Sequence, residues 1–528
     1  MHPDVSVNLT IDCPPTGSTY ELEHRSNCGP CRMTEAFESR VILRAGSMND
    51  MTDVELEEYR ELKSATNRAH DPFIHRLPPE IGAYIFWLCV PKYSDGQYAM
   101  PWVLGMICKY WRHIAWTTPQ LWTELCICVK SVHSPESCDI IQAALLRSRS
   151  LPLSISVSVH LFRDDISPTT FSTLIEMMNQ CSDRWQTISL NVPKWVLALI
   201  SPRNGDTTLL KDLHLRSNYD IQRRWNSHGV TCRMESASPS CLSFNIGGCP
   251  LNLLEIGWGR MTTLEVQEIK DDECLELLRR CPLLSTFKFY LSWRSGDAQF
   301  HFYPVTHYQL KTIELETDCT HVPLNLFDAL TLPALQKFSY GDWELGGFHW
   351  DMLLSLFRRS GCMLKDLRVG LVEDDWDDSF IRLLKNITSL RTLMFELGSD
   401  SNRTLYDILY RVSRRNFLPE LVSLECTCRR PLAWKQITDS IGGLENLRTS
   451  LRWPHKVQIN INLGSYSEDG IRLGYMSAPV IRRIHDILEA GFDFNIAYVD
   501  PDEDSKGATD IFQFVKKSLD YNSNFYSH

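Results

Sequence analysis

Four residues near the amino terminus have the spacing of a dithiol active site. Cys28-Gly29-Pro30-Cys31 is a C-x-x-C sequence. Such a pair exchanges disulfides when a strand holds the turn and a helix lowers the pKa of the first thiol. The ten residues before Cys28 are polar and lack the alternation of a strand. Thiol redox chemistry at Cys28 and Cys31 therefore stays a remote alternative.

Metal binding is a second possible use of the cysteines. Cys13, His24, Cys28 and Cys31 would supply four ligands of the kinds that zinc accepts, but their spacing is irregular. Cys426 and Cys428 lie two apart on a predicted strand, so both face the same side, where burial is the commoner outcome. We expect no metal site in this chain, and we expect packing or a polar leader to account for these cysteines.

No motif for catalysis stands out elsewhere in the sequence. The phosphate-binding G-x-x-x-x-G-K, the metal-binding H-E-x-x-H and the nucleophile elbow G-x-S-x-G are all missing. The acidic run from Glu373 to Asp378 is typical of a solvated loop. We therefore predict a non-catalytic protein without a cofactor.

Charge and composition indicate that the partner is another protein. The 528 residues carry 54 basic and 65 acidic side chains, a net charge of -11, which opposes general binding to nucleic acid or to an anionic membrane. The first residues lack the basic start and apolar run of a signal peptide, and the 18 cysteines are dispersed. We expect a cytoplasmic or nuclear location.

Helical patterns begin at residue 50 and continue to residue 125. Thr52 followed by Glu55 is a capping-box pattern before a run of helix formers. Downstream, one helical face contains Leu77, Ile81, Tyr84, Ile85 and Leu88, and the two prolines after Leu77 suit the first turn. Pro101 opens a second helix over "WVLGMICKYWRHIAW". A short turn at "TPQLW" ends the segment. Three short helices cannot bury all these apolar side chains among themselves, so we expect some of them to meet a partner.

This segment resembles the F-box, the adaptor-binding module of cullin-type ubiquitin ligases, in the form common in fungi. The order L-P-x-E-I, I-F, C-x-x-W-R, P-x-L-W carries the resemblance, through Leu77, Pro78, Glu80, Ile81, Ile85, Phe86, Cys108, Trp111, Arg112, Pro119, Leu121 and Trp122. It implies that an Skp-family adaptor, and through it a cullin, binds here. The residues expected to contact the adaptor are Leu77, Pro78, Glu80, Ile81, Ile85, Leu104, Cys108, Trp111 and Trp122.

A six-residue pattern of three apolar positions, spaced three and two residues apart, recurs through the rest of the chain. Examples are Leu310-Lys-Thr-Ile-Glu-Leu315 and Leu364-Lys-Asp-Leu-Arg-Val369, and from Met261 to Leu421 successive starts lie 23 to 31 residues apart. Helical patterns such as "DDECLELLRRCP" and "DMLLSLFRRSG" fall between them. This period is similar to that of leucine-rich repeats, with one strand and one helix in each repeat.

The predicted fold is α/β, a short three-helix F-box-like module followed by a leucine-rich-repeat-like β/α solenoid. The expected boundaries are a polar leader without regular structure at 1–49, a linker helix at 50–73, the module at 74–125, the solenoid at 126–475 with a loop insertion at 218–250, and a carboxyl-terminal cap and tail at 476–528. Arginine pairs such as Arg358-Arg359 are expected at helix ends, facing the negative end of the helix dipole.

Residues that alternate with the buried positions of parallel strands share the opposite face of the sheet. We expect that concave face to bind the target protein through His214, Arg216, Lys288, Tyr290, Glu314, Glu316, Arg368, Met394, Glu396 and Glu425. The function this predicts is that of an F-box-type substrate receptor, which links a target to an Skp-cullin ubiquitin ligase. The alternative is a protein-binding repeat scaffold that does not assemble a ligase.

Overall fold

The protein divides into two compact units. The structure, a computed structural model, describes residues 29–70, 77–89, 100–129, 135–159, 168–202, 207–217, 231–246, 250–291, 302–317, 324–342, 350–370, 378–397, 402–412, 417–428, 432–441, 456–462, 476–489 and 493–499. The helical unit comprises residues up to 126 and 139–151, and the sheet unit comprises 127–138 and 152–528. The predicted module, which ends at residue 125, therefore leaves out residues 139–151, which belong to the helical unit.

Helices make up most of the described part of the helical unit. They are α1 (Gly29–Ala45), α2 (Asp53–His70), α3 (Pro79–Cys89), α4 (Met100–Ile107), α5 (Lys109–Thr117) and α6 (Pro135–Arg147), with 3-10 turns at Met48–Asp50 and Pro119–Trp122. The unit boundary falls inside α6, at residue 139.

Helix α1 corrects the expectation of a leader without regular structure at 1–49. It pairs with α2 through the buried Phe37 and Val41 and through Arg40, whose guanidinium lies 2.9 Å from both carboxylate oxygens of Glu58. The predicted capping box at the start of α2 is confirmed, because the Glu55 carboxylate accepts the Thr52 backbone N–H at 2.9 Å. The leader prediction failed because it relied on the polar residues of 1–28 and missed the apolar positions of "MTEAFESRVILRA".

The sheet unit is built on a fourteen-stranded sheet whose spatial order is the order of the chain. The strands are β1 (Glu124–Val129), β2 (Leu153–Val159), β3 (Trp185–Asn191), β4 (Asp212–Arg216), β5 (Cys241–Asn245), β6 (Thr263–Ile269), β7 (Thr286–Leu291), β8 (Thr312–Thr317), β9 (Lys337–Asp342), β10 (Asp366–Gly370), β11 (Thr392–Leu397), β12 (Ser423–Cys428), β13 (Lys456–Asn462) and β14 (Asp493–Val499). From β2 onwards each strand pairs in parallel with the next. The fold class is therefore α/β with a parallel sheet.

The register aligns the last two apolar positions of the sequence pattern across the strands. Ile313 faces Phe287 on one side and Phe338 on the other, and Leu315 faces Phe289 and Tyr340 in the same way. All six of these side chains are buried. Because side chains alternate across a strand, the residue between the two apolar positions lies on the opposite face, where the strands are open to solvent.

Helices cover the apolar face of the sheet. They are α7 (Pro168–Asn179), α8 (Pro250–Leu253), α9 (Asp271–Arg280), α10 (Leu324–Ala329), α11 (Trp350–Ser360), α12 (Asp378–Asn386), α13 (Asn402–Val412), α14 (Trp434–Ile441) and α15 (Ala478–Glu489). The ring of Phe338 on β9 lies 5.5 Å from that of Phe357 on α11, and Phe395 on β11 lies 6.4 Å from Phe380 on α12. The helices predicted between the repeats at 271–282 and 351–361 are confirmed.

Strand β5 corrects the predicted loop insertion at 218–250. It pairs in parallel between β4 and β6 and buries Leu242 and Phe244 in the register of the other strands. The six-residue pattern is present there as Pro239-Ser-Cys-Leu242-Ser-Phe244, with a buried proline in the first apolar position. The predicted pattern has a large apolar residue at that position, so it does not include this repeat.

Two of the predicted arginine pairs, Arg279-Arg280 and Arg358-Arg359, lie at helix ends, and they also connect neighbouring repeats. The third, Arg414-Arg415, lies outside the described residues. Arg359, in the last turn of α11, donates to the backbone carbonyls of Phe327 at 2.6 Å and Leu330 at 2.9 Å, just at the end of α10. Arg279 donates to the Tyr303 carbonyl at 2.7 Å. A guanidinium thus satisfies carbonyls that the end of one helix leaves open.

The expected carboxyl-terminal cap continues the repeat instead of ending it. Over its described residues, 476–489 and 493–499, it forms α15 and then β14, which pairs in parallel with β13 over the whole of both strands.

Candidate functional site

The helical unit has a small apolar core that holds its three central helices together. Phe86 of α3, Leu104 of α4, Ile114 and Ala115 of α5, and Leu121 and Trp122 of the following turn are buried in one cluster. The Trp122 indole N–H donates to the Ala115 carbonyl at 2.8 Å, which satisfies a polar group that burial would otherwise leave unpaired. These residues belong to the fold and not to a surface.

The predicted second helix is interrupted at Cys108. The backbone of Cys108 is extended, and its sulfur accepts the N–H of Trp111 at 3.4 Å, so this residue caps α5. The Arg112 side chain donates to the Gly105 carbonyl at 2.7 Å, near the end of α4. Cys108 fell on the predicted apolar stripe, but its local capping interaction won over helix continuity.

Large apolar side chains of α3 and of α4 remain exposed to solvent. Ile81, Tyr84 and Leu88 recur at helical spacing on α3, and Val103 and Met106 stand out from α4. Leu88 is 60% exposed and Met106 is 72% exposed. We call these five residues, together with Pro78, the apolar face of the helical unit.

The predicted adaptor-contact residues divide between this face and the core. Pro78, Glu80 and Ile81 are exposed, and Leu77, Ile85, Cys108 and Trp111 are half-buried. Leu104 and Trp122 are buried, at 6% and 1% exposure, so they are not available to an adaptor, which corrects that part of the prediction. The predicted contact residues left out Tyr84 and Leu88, although both fall on the predicted helical face with Ile81, and they also left out Val103 and Met106 on α4.

Three tryptophans surround the guanidinium of Arg147. Its central carbon lies 5.0 Å from the ring centre of Trp102, 5.3 Å from that of Trp116 and 5.2 Å from that of Trp122. Burial lowers the pKa of Arg147, and the ring faces supply the favourable electrostatics. This arrangement ties the end of α6 to the tryptophan-rich part of the helical unit.

The solvent face of the sheet gathers the ten residues predicted to bind a target. His214, Lys288, Glu314, Arg368, Met394 and Glu425 fall in one row across the strands, and Arg216, Tyr290, Glu316 and Glu396 fall in the next row towards the strand ends. All ten are half-buried or exposed. The same central row also contains Ser243 and Glu265. Ser243 was missed because β5 was predicted as a loop, and Glu265 was not among the predicted residues.

An ion-pair network occupies the middle of this row. The Glu314 carboxylate lies 2.7 Å from the Lys288 ammonium and 2.6 Å from that of Lys337. Partial burial opposes ionisation of Glu314, but hydrogen bonds from the two lysines outweigh it and lower its pKa. The same contact, as the main cause, raises the pKa of Lys288.

Most of the amino-terminal residues considered for cysteine chemistry, Cys13, His24 and Cys28, lie outside the described residues. Cys31 is buried near the start of α1. The expected burial of Cys426 and Cys428 is confirmed, with the sulfurs 3.5 Å apart, and burial raises the pKa of Cys426 well above its usual value. Among the described residues, no group of three or more His, Cys, Asp or Glu side chains is arranged to hold a metal ion.

Comparison with known proteins returned neither a matching family profile nor a matching curated sequence. In the part of the chain that the structure describes, none of the helices combines the length and the apolarity that crossing a bilayer demands.

Proposed function

We propose that this protein is an F-box-type substrate receptor of an Skp-cullin ubiquitin ligase. In this proposal the apolar face of the helical unit docks the adaptor, and the solvent face of the sheet binds the target. Catalysis belongs to the partners, since the receptor contributes proximity, which raises the effective concentration of target lysines near the charged enzyme.

The observation that carries the proposal is the division of the motif residues between core and surface. Phe86, Leu121 and Trp122 fill the core, whereas Pro78 and Ile81 are exposed next to Tyr84 and Leu88. A helical domain without a partner has no reason to leave several large apolar side chains together in water. The irregular strand-helix repeats of the sheet unit fit a leucine-rich-repeat-like receptor domain.

Co-purification of the full chain with an Skp-family adaptor tests the adaptor half of the proposal. We expect the wild-type chain to retain the adaptor, and we expect Ile81→Ser with Leu88→Ser to release it. For residues at the centre of an interface the cost is about 2 kcal/mol each, roughly 30-fold in affinity.

The matched control is Leu146→Ser on α6, which also removes an exposed leucine from the helical unit. It should leave adaptor binding unchanged. A wild-type chain that folds and does not retain the adaptor would leave the scaffold alternative, in which the repeats bind proteins without a ligase.

A further inference from the structure

The turns that lead into the strands of the sheet unit form a continuous row. The backbone N–H of Lys311 donates to the Ser285 carbonyl at 2.9 Å, that of Gln336 to Lys311 at 2.9 Å, and that of Lys365 to Gln336 at 2.8 Å. The row continues with Arg391 and then Val422, through bonds of 2.7 and 2.8 Å. We call this row, from Ser285 to Val422, the entry edge. Its residues are spaced one strand apart, about 4.8 Å.

The entry edge is basic. Lys311, Lys365 and Arg391 belong to it, and it contains no acidic residue. Lys365 donates to Gln336 at 3.2 Å, and Arg391 lies 3.6 Å from Glu420, a pair in which both side chains are more than half exposed. An exposed ion pair such as Arg391 with Glu420 contributes little, so Arg391 can exchange Glu420 for the carboxylate of a partner, and Lys365 has only a neutral amide as its partner.

The same turns also expose large apolar side chains. Leu283, Tyr308 and Met363 precede the edge residues of their own repeats by two or three positions, and Val422 is itself an edge residue. Tyr308 is 71% exposed and Met363 is 67% exposed. These four make up half of the eight large apolar residues that are exposed in the described part of the sheet unit.

The opposite edge of the sheet has a different character. At the carboxyl ends of the strands the solvent-facing residues include the acidic Glu316 and Glu396, and between them Gly341 and Gly370. None of the large exposed apolar residues of the described chain lies at these strand ends. The combination of basic and apolar side chains is therefore particular to the entry edge.

We infer that the entry edge binds an acidic segment of a partner protein that also carries apolar side chains. Its carboxylates would pair with Lys311, Lys365 and Arg391, and its apolar groups would cover Leu283, Tyr308, Met363 and Val422. From β7 to β12 the edge spans five strand spacings, about 24 Å, which an extended segment of about seven residues matches. The assignment of this segment to the ligase target rests on the proposed function, whereas the binding itself does not.

Charge complementarity decides which kind of partner fits. The whole chain carries a net charge of -11, so an acidic partner is repelled by most of the surface. The Debye length at physiological ionic strength is about 8 Å, so within that distance of the entry edge the basic residues set the sign of the electrostatic potential. An acidic partner is therefore directed to this edge, and the exposed apolar side chains add contact area that a purely electrostatic site lacks.

Fluorescence anisotropy of the full chain with three labelled peptides tests the inference. The probe is a peptide of about eight residues with alternating Glu and Leu, and the comparison peptides alternate Lys with Leu and Glu with Ser. We expect the Glu-Leu peptide to bind most tightly, with an affinity that falls as salt is added. Lys311→Glu with Lys365→Glu and Arg391→Glu should weaken it roughly tenfold or more.

A charge-matched variant on the helices serves as the control. Lys385, Arg403 and Lys435 are exposed basic residues of α12, α13 and α14, so reversing all three changes the net charge equally and should leave the affinity within about twofold. A second variant, Leu283→Ser with Tyr308→Ser and Met363→Ser, should reduce binding of the Glu-Leu peptide and leave the Glu-Ser peptide unchanged.

Two outcomes would overturn the inference. One is equal weakening by the edge reversal and by the helix reversal, which would mean that only net charge matters. The other is binding to vesicles of phosphatidylserine and phosphatidylcholine, lost in the edge variant, without binding of the Glu-Leu peptide. Adaptor co-purification with the same variants is a separate readout, so failure of adaptor docking is distinguishable from failure of the entry edge.

Discussion

The helical unit and the sheet unit bury their apolar residues to different extents. In the sheet unit, adjacent strands bury the same two apolar positions in register, and helices cover them. In the helical unit one small core absorbs Phe86, Leu104 and Trp122, while Ile81, Tyr84, Leu88 and Met106 stay exposed. A repeat can always bury its apolar face against the next repeat, whereas a module of short helices cannot. Exposed apolar residues of the helical unit therefore indicate a binding surface. In the sheet unit, where most apolar residues are buried, the exposed ones at the entry edge indicate the same.

The largest effect should come from a cavity in the sheet unit. Phe338→Ala removes a fully buried ring that lies 5.5 Å from Phe357 and 6.2 Å from Phe327. We expect a loss of about 3–5 kcal/mol in the free energy of unfolding, measured by urea denaturation. Its neighbour Ser339 faces solvent, so Ser339→Ala should change the same transition by less than about 0.5 kcal/mol. Similar losses for both variants would contradict the two-faced sheet.

The contrast within the helical unit can be tested with a buried and an exposed apolar residue. Trp122→Ala should cost about 3 kcal/mol or more, because it removes a buried ring and its hydrogen bond to Ala115. Leu88→Ser should leave the stability within about 0.5 kcal/mol, since the side chain is already in water. Thermal unfolding of both variants measures this, and a large loss for Leu88→Ser would show that the apolar face is covered within the chain.

The tryptophan contacts of Arg147 predict a smaller effect. Arg147→Met keeps much of the side-chain volume and removes the charge above Trp102, Trp116 and Trp122. We expect a loss of about 1–2 kcal/mol and a change in tryptophan fluorescence. Arg60→Met, at an exposed site on α2, is the control and should change neither. An unchanged transition for Arg147→Met would mean that packing alone holds the end of α6.

An effect of about the same size, and present only above pH 4, is expected at the start of α9. Burial, with a contribution from the neighbouring Asp272, raises the pKa of Asp271 from 3.8 to about 6. The folded state therefore holds this proton more tightly than the unfolded chain, so stability falls as the pH rises from about 4 to about 6. Asp271→Asn should stabilise the protein by about 1–2 kcal/mol at pH 7, and this gain should vanish near pH 4.

Unfolding of the Asp271→Asn variant at several pH values measures this difference. Asp183→Asn changes an exposed carboxyl in the turn before β3 and should show no such pH dependence. A gain of equal size at pH 4 and pH 7 would mean that the amide acts through packing or capping and not through the charge.

The repeat pattern allowed much of the sheet unit to be predicted, because an apolar pair spaced two residues apart specifies which face of a strand is buried. The repeat pattern failed at β5, where Pro239 stands in the first position. Outside the repeats, α1 was not predicted, because its apolar residues follow a polar segment. The interruption of the helix at Cys108 could not be predicted either. Whether this residue lies inside a helix or caps one depends on the contact of its sulfur with the Trp111 N–H.

Periodicity in the sequence determined by itself that strands and helices alternate and that His214, Lys288 and Glu314 share one face, because side-chain direction follows from backbone geometry. Only the tertiary structure decided which apolar residues of the helical unit are core and which are surface, since Trp122 and Leu88 both have large apolar side chains and differ in their neighbours. The repeat pattern already places Lys311, Lys365 and Arg391 in its second position, and the structure adds the backbone hydrogen bonds that join these turns side by side.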